Sequence, residues 1–155
     1  MSKVVEFFRV LWNFFQAAPT LQFFQPPTDD MKTSLGLMFQ TTAAKYPNKS
    51  AIVCGDSELT WAQFNTLTNQ FAHSLKNQGV ARGDCVAVFI ENRTELLCSI
   101  FALAKIGATA GMVNTGLTDR PLAHCIGIVE STKCLVGQEL LAPLVGVKGD
   151  LELQD

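Results

Sequence analysis

Lys105, Gly107, Gly111, Asn114, Thr115 and Gly116 fall within one short stretch, AKIGATAGMVNTG, residues 104–116. A cation beside glycine-freed backbone amides is what a phosphate site needs. Two known phosphate cradles would use such residues. A P-loop is G-x-x-x-x-G-K-[ST], with the lysine directly after the second glycine; here Lys105 comes before the first. A dinucleotide fingerprint is G-x-G-x-x-G, running from strand into helix; these glycines run from a helical pattern into a strand pattern. Gly107 therefore reads as a left-handed helix C-cap, Lys105 as a last-turn cation suited to the helix dipole, and Gly111 as a close-packing position. Asn114, Thr115 and Gly116 differ, because they lie just past the carboxyl end of an expected strand, where ligands meet open α/β sheets. They are the candidate binding residues, against the plainer reading of a polar turn. Arg120, at a nearby helix start, could meet phosphate or simply be solvated.

Other reactive side chains give less. The five cysteines, Cys54, Cys85, Cys98, Cys125 and Cys134, are odd in number and form no C-x-x-C pair. Four sit in apolar runs, where a thiol behaves as a small hydrophobe. His73 and His124 lie at no ligand spacing to them, so no metal site is expected. Reduced thiols in a cytoplasmic setting are expected instead. Asn48-Lys49-Ser50 and Asn92-Arg93-Thr94 match the glycosylation triplet, a pattern common by chance. The formal net charge of −2 gives no footprint for nucleic acid.

The elements that must carry these residues follow from periodicity. Ser34 can cap a helix with Leu35, Met38, Phe39, Ala43 and Tyr46 on one face, stopped by Pro47. Ala51–Cys54 and Glu58–Thr60 read as strands turned by Gly55-Asp56. Thr60 and Gln63 form a capping box for a helix with Trp61, Phe64, Leu67, Phe71 and Leu75 in one stripe, closed by Gly79. Cys85–Ile90 is a continuous apolar run, suited to a strand covered on both faces. Asn92 and Glu95 repeat the capping-box spacing. The helix after them, through Leu96, Leu97, Ile100, Phe101, Leu103 and Ile106, is apolar nearly all round. Ala110–Val113 and Lys133–Val136 are further strands. Between them Thr118-Asp119-Arg120-Pro121 opens a helix with Leu122, Cys125, Ile126 and Val129 inward. After Gly137 the signals weaken.

Strands alternating with helices imply an α/β fold, a mainly parallel sheet flanked by helices in a partial three-layer sandwich. An amphipathic N-terminal helix is expected to precede it. Glu6, Arg9, Asn13 and Gln16 form a polar stripe, with Val4, Phe7, Phe8, Leu11, Trp12, Phe14 and Phe15 around the remainder. It is too polar to span a bilayer. Two readings stand, a helix lying in the headgroup layer through residues 4–24 or one docked on its own protein. A Pro-rich linker ends this segment, dividing the chain into 1–30 and 31–155. The chain is 48% hydrophobic and 17% charged, against roughly 25% charged in ordinary soluble domains. Such a composition calls for membrane contact or a face buried against more protein.

The order of motifs resembles the adenylate-forming, AMP-binding enzymes. The pieces are Tyr46-Pro47-Asn48-Lys49-Ser50-Ala51-Ile52, Leu59-Thr60-Trp61-Ala62-Gln63-Phe64 and Gly79–Val88. Glu91-Asn92-Arg93-Thr94-Glu95, Ala102–Ala108, Val113-Asn114-Thr115 and Pro121–Cys125 are similar to the fatty acid transport protein and very-long-chain acyl-CoA synthetase branch. The resemblance covers about residues 34–137. It implies a ligase in which a fatty carboxylate attacks the α-phosphate of ATP, giving acyl-AMP and pyrophosphate, after which coenzyme A thiolate displaces AMP. It implies ATP, Mg²⁺, coenzyme A and a fatty acid for the parent enzyme. The family's Ser/Thr/Gly-rich phosphate loop, adenine segment and C-terminal lysine domain have no counterpart in the sequence, so no catalytic residue is assigned. The resemblance also places the loop holding Asn114, Thr115 and Gly116 near the coenzyme A nucleotide. The expectation is thus an N-terminal portion of a long-chain or very-long-chain fatty acid–CoA ligase, inactive alone, cytoplasmic and peripheral on the inner face of a membrane. The competing expectations are a free-standing nucleotide-binding or regulatory domain and a membrane-docking module.

Overall fold

Ser34 starts the first described helix by accepting the Leu37 amide on its hydroxyl, and from there the elements follow the order expected from periodicity. The computed structural model describes residues 33–153. The amphipathic stretch 4–24 and the linker lie outside them. Helix α1 is Leu35–Lys45, strands β1 and β2 are Ser50–Cys54 and Ser57–Thr60, and helix α2 is Trp61–Asn77. Strand β3 (Cys85–Phe89), helix α3 (Thr94–Ile106), strand β4 (Thr109–Met112), helix α4 (Asp119–Ile128) and strand β5 (Cys134–Val136) continue the series. A short helix α5 (Leu141–Val147) follows, flanked by single 3-10 turns. From Ser34 on, the described residues form one compact unit.

Strands β4, β3 and β5 make a parallel sheet in that order, while β1 and β2 form a separate antiparallel hairpin. The side-chain alternation of β3 divides the core between its two faces. Val86 and Val88 point into a cluster with Leu75, Val80, Leu96, Ala102 and Leu103 from α2, α3 and the loop between α2 and β3. Ala87 and Phe89 point the other way, onto Leu122, Ile126, Leu140, Leu144 and Val147. The sheet is thus the middle of three layers, as the apolar run over residues 85–90 implied.

A third cluster joins the hairpin to the helices. Phe39 stacks on Phe101 with ring centroids 4.5 Å apart and meets Phe64 edge-on at 5.0 Å, and Ile52, Leu59 and Trp61 pack around them. Two buried hydroxyls, of Thr68 and Ser99, donate to carbonyls one turn back in their own helices.

Three local expectations need correction. The buried stripe of α1 is Gly36, Phe39 and Ala43, whereas Leu35, Met38 and Tyr46 are exposed. Gly36 sets this rotation, because α1 lies against the α3 backbone there. A Cβ at Gly36 would sit 2.7 Å from the Ala104 carbonyl oxygen. Gly36→Ala gains up to about 1 kcal/mol in helix propensity, but overpacking against backbone costs about 1–3 kcal/mol. Net destabilisation is expected, read as a lower urea midpoint at unchanged slope; a higher midpoint would mean that α1 stands off α3. The second correction is at α3, which starts at Thr94 with Arg93 as a cap lacking a side-chain bond, so Asn92 and Glu95 form no capping box. The capping box at Thr60 and Gln63 does form. The third is α5, which the weak signals after Gly137 concealed. Pro143 lies in its first turn, where a missing amide costs nothing.

Candidate functional site

The carboxyl ends of β3, β4 and β5 all point the same way, so the loops leaving them gather at one edge of the sheet. The chain passes from β3 to β4 over one face through α3, then back across β3 to β5 over the other face through α4. Loops leaving β3 and β4 therefore part toward opposite faces. That parting marks the topological switch point, the place where open α/β sheets form a ligand crevice.

Asn114, Thr115 and Gly116 leave β4 at this crevice. The Val113 amide still bonds the Val88 carbonyl at 3.0 Å and Val113 is buried, anchoring the loop to the sheet. Beyond it the Asn114 Oδ1 accepts the Gly116 amide at 2.9 Å, and the Leu117 amide closes the turn on the Asn114 carbonyl. The Asn114 side-chain amide group is left with both its donors, while Thr115 is half-buried and Gly116 exposed. The three residues thus sit together as a preformed turn at the crevice. Arg120 is exposed on the first turn of α4 and makes no ion pair among the described residues. Asp119, at the start of that helix, has a positive φ of 51°, a left-handed conformation that aspartate tolerates better than most residues.

Sequence reasoning missed the charged clamp beside this loop. Arg93, leaving β3, grips both oxygens of Glu95 at 2.7 and 3.0 Å, and its remaining Nη1 reaches Glu139 at 2.9 Å. Glu139 follows β5, so one guanidinium ties the β3 and β5 loops together. The usable signal was an arginine two residues before a glutamate at the end of a buried strand; the glutamate 46 positions on carries no local pattern. The Arg93 hydrogen bonds and charge hold the Glu95 carboxyl down at about 2, from its usual 4.5. Because the folded value is depressed, the stabilisation is complete above about pH 5 and drains away as pH falls toward 2. Glu95→Gln should therefore lower the thermal midpoint at neutral pH and converge on the parent protein in acid. A difference that persists unchanged at the acid end would exclude this ion pair as its source.

Lys105 is where the last turn of α3 was expected, and Gly107 caps that helix at φ 84°. Its ammonium is committed to structure, donating to the side-chain oxygens of Asn65 and of Asn69 (2.6 Å) on α2 and lying 4.9 Å from the Phe39 ring centroid. A Cβ on Gly111 would fall within the Val129 side chain, so this glycine is a packing position. Burial pushes the Cys134 thiol up to about 11 and raises that of Cys98 as well, away from nucleophile chemistry. Among the described residues no group of three or more His, Cys, Asp or Glu side chains is placed to hold a metal ion. No helix among them is long and apolar enough to cross a membrane.

Comparison with known proteins fits this geometry. Long-chain fatty acid transport protein 1 of Mus musculus is 35% identical over 116 residues, 74% of this chain and 18% of its own length. Medium/long-chain-fatty-acid–CoA ligase FadD6 of Mycobacterium tuberculosis is 32% identical over 111 residues, 72% of this chain and 19% of its length. The chain thus spans less than a fifth of the length of these curated relatives. Among solved structures, a fatty acyl CoA synthetase of Mycobacterium tuberculosis superposes with a TM-score of 0.75 at 28% identity, over 82% of this chain and 26% of that one. The inhibitor-bound N-terminal domain of FACL13 from the same organism gives 0.71 at 29% identity, over 74% of this chain and 29% of its own. Residues 39–153 match the family described as AMP-binding enzyme, and the chain belongs to that family.

Proposed function

We propose that this chain is part of the adenylation domain of a longer long-chain or very-long-chain fatty acid–CoA ligase, and that it is inactive by itself. The observation carrying this reading is the family match over residues 39–153 alongside relatives several times longer. Those relatives are named as fatty acid transport proteins and fatty acid–CoA ligases. The sheet supports it too. Among the described residues β4 and β5 each pair with β3 alone, and Met112 on β4 is half exposed, as expected of strands awaiting neighbours.

The glycine stretch at residues 104–116 does not fit the phosphate cradle of the adenylation chemistry, since Lys105 is bound to two asparagines. ATP, Mg²⁺ and the acyl-transfer steps are therefore assigned to parts of the parent outside this chain. What this chain supplies is the scaffold and one wall of the crevice, where Asn114, Thr115 and Gly116 would contact the coenzyme A or substrate side. Residues 4–24 would provide peripheral membrane contact on the cytoplasmic side.

The test is ATP-dependent acyl-CoA formation from a long-chain fatty acid. The parent protein should form the thioester and the 155-residue chain should not. Turnover by the isolated chain would overturn the assignment, as would a parent that forms no acyl-CoA. Liposome flotation with and without residues 4–24 tests the membrane contact; equal flotation refutes it.

A further inference from the structure

At the other end of the sheet, near the amino ends of β3 and β4, a second concavity opens. Helix α1, the latter half of α2, the Val80–Arg82 segment and the last turn of α3 enclose a groove of about 670 Å³, within the usual range for small-ligand sites. Asn69, His73 and Lys76 line it from α2 at helical spacing, with Gln40, Arg82 and Lys105 around them. Among the described residues no Asp or Glu lines it, although the chain carries 14 acidic residues against 12 basic. Asp84, bonded to the lining residue Ala81, has its Oδ2 on that amide. Lys76 and Arg82 are exposed and form no ion pair among the described residues.

Helix dipoles explain only part of this. Lys76 and Lys105 occupy the last turns of α2 and α3, where a cation is favoured anyway. Arg82 lies outside any helix and His73 a turn earlier, so neither answers to a dipole. Side chains from separated segments converge, which is why no basic run marks the site in sequence. An arginine fork beside a lysine and an imidazole suits an oxyanion of more than one charge, and Leu37, Val80 and Ile106 give the same groove apolar wall.

We propose that this groove binds a soluble phosphorylated small molecule, its phosphate held by Lys76, Arg82 and His73 and its carbon part on the apolar wall. The concave shape favours a free ligand over a lipid headgroup, since a flat bilayer would not reach its floor. The site is separate from the crevice at the carboxyl end, and its test does not depend on acyl-CoA formation.

The experiment is amine footprinting of the 155-residue chain, comparing acetylation of Lys76 with that of exposed Lys45 and Lys49 as inorganic pyrophosphate is added. Lys76 should be protected about tenfold at saturation, with the two controls unchanged, and Arg82→Gln should raise the half-protecting concentration about tenfold. His73→Gln should raise it too, by less. The proposal fails if all three lysines are protected alike, if Lys76 is not protected, or if Arg82→Gln leaves the concentration unchanged. It also fails if protection comes only from vesicles containing phosphatidic acid.

Discussion

Phe89→Ala is expected to remove about 3–5 kcal/mol of stability, the usual cost of deleting a buried aromatic ring and leaving its space unfilled. Phe89 is fully buried at the end of β3. Its ring belongs to the layer formed by Leu122, Ile126, Leu140 and Leu144, which α4 and α5 close from outside. Its backbone carbonyl holds the Gly137 amide at 2.9 Å, so the same residue secures the start of the β5 loop and, beyond it, Glu139. Against a total of about 5–15 kcal/mol for a domain of this kind, such a loss takes a large share. Urea unfolding followed by circular dichroism reads it. Val88→Ala, on the opposite face of the strand, should cost less because fewer atoms are removed. A loss below about 1 kcal/mol for Phe89→Ala would mean that α4 and α5 do not cover that face.

The contrast between Phe89 and α5 shows what periodicity could and could not reveal. The run over residues 85–90 is apolar at every position, and a strand so composed has to be covered twice; three layers followed from it. Helix α5 has seven residues, two of them glycine or proline, too few to display a stripe. Its place is set by Leu144 and Val147 meeting α4 on the same face of the sheet, a contact invisible to local pattern. The rotation of α1 was hidden for a related reason. Leu35 and Met38 are as hydrophobic as Phe39, and only the approach of the α3 backbone at Gly36 decides which of them goes inward. At the crevice, the position of Asn114, Thr115 and Gly116 was legible because it depends on strand order alone. The Arg93 clamp was not, since its second partner lies on another loop.

Lys105→Met is expected to cost about 1–2 kcal/mol, because the half-buried amide oxygens of Asn65 and Asn69 lose a charged donor at the α2–α3 contact, where water replaces it only in part. Part of that is returned. Burial already lowers the pKa of this lysine, so removing its charge relieves some desolvation. The variant keeps the stem's volume against Phe39, which limits any cavity contribution. A double-mutant cycle with Asn69→Ala isolates the bond, with a coupling of about 1 kcal/mol or more expected between residues in direct contact. The same variant also decides the question raised by the glycine stretch. A lysine serving a phosphate cradle would leave thermal stability nearly untouched and change only the response to nucleotide. A lysine tying two helices together gives the reverse, a lower midpoint with the nucleotide response unaltered, and the hydrogen bonds of Lys105 to α2 predict that second pattern.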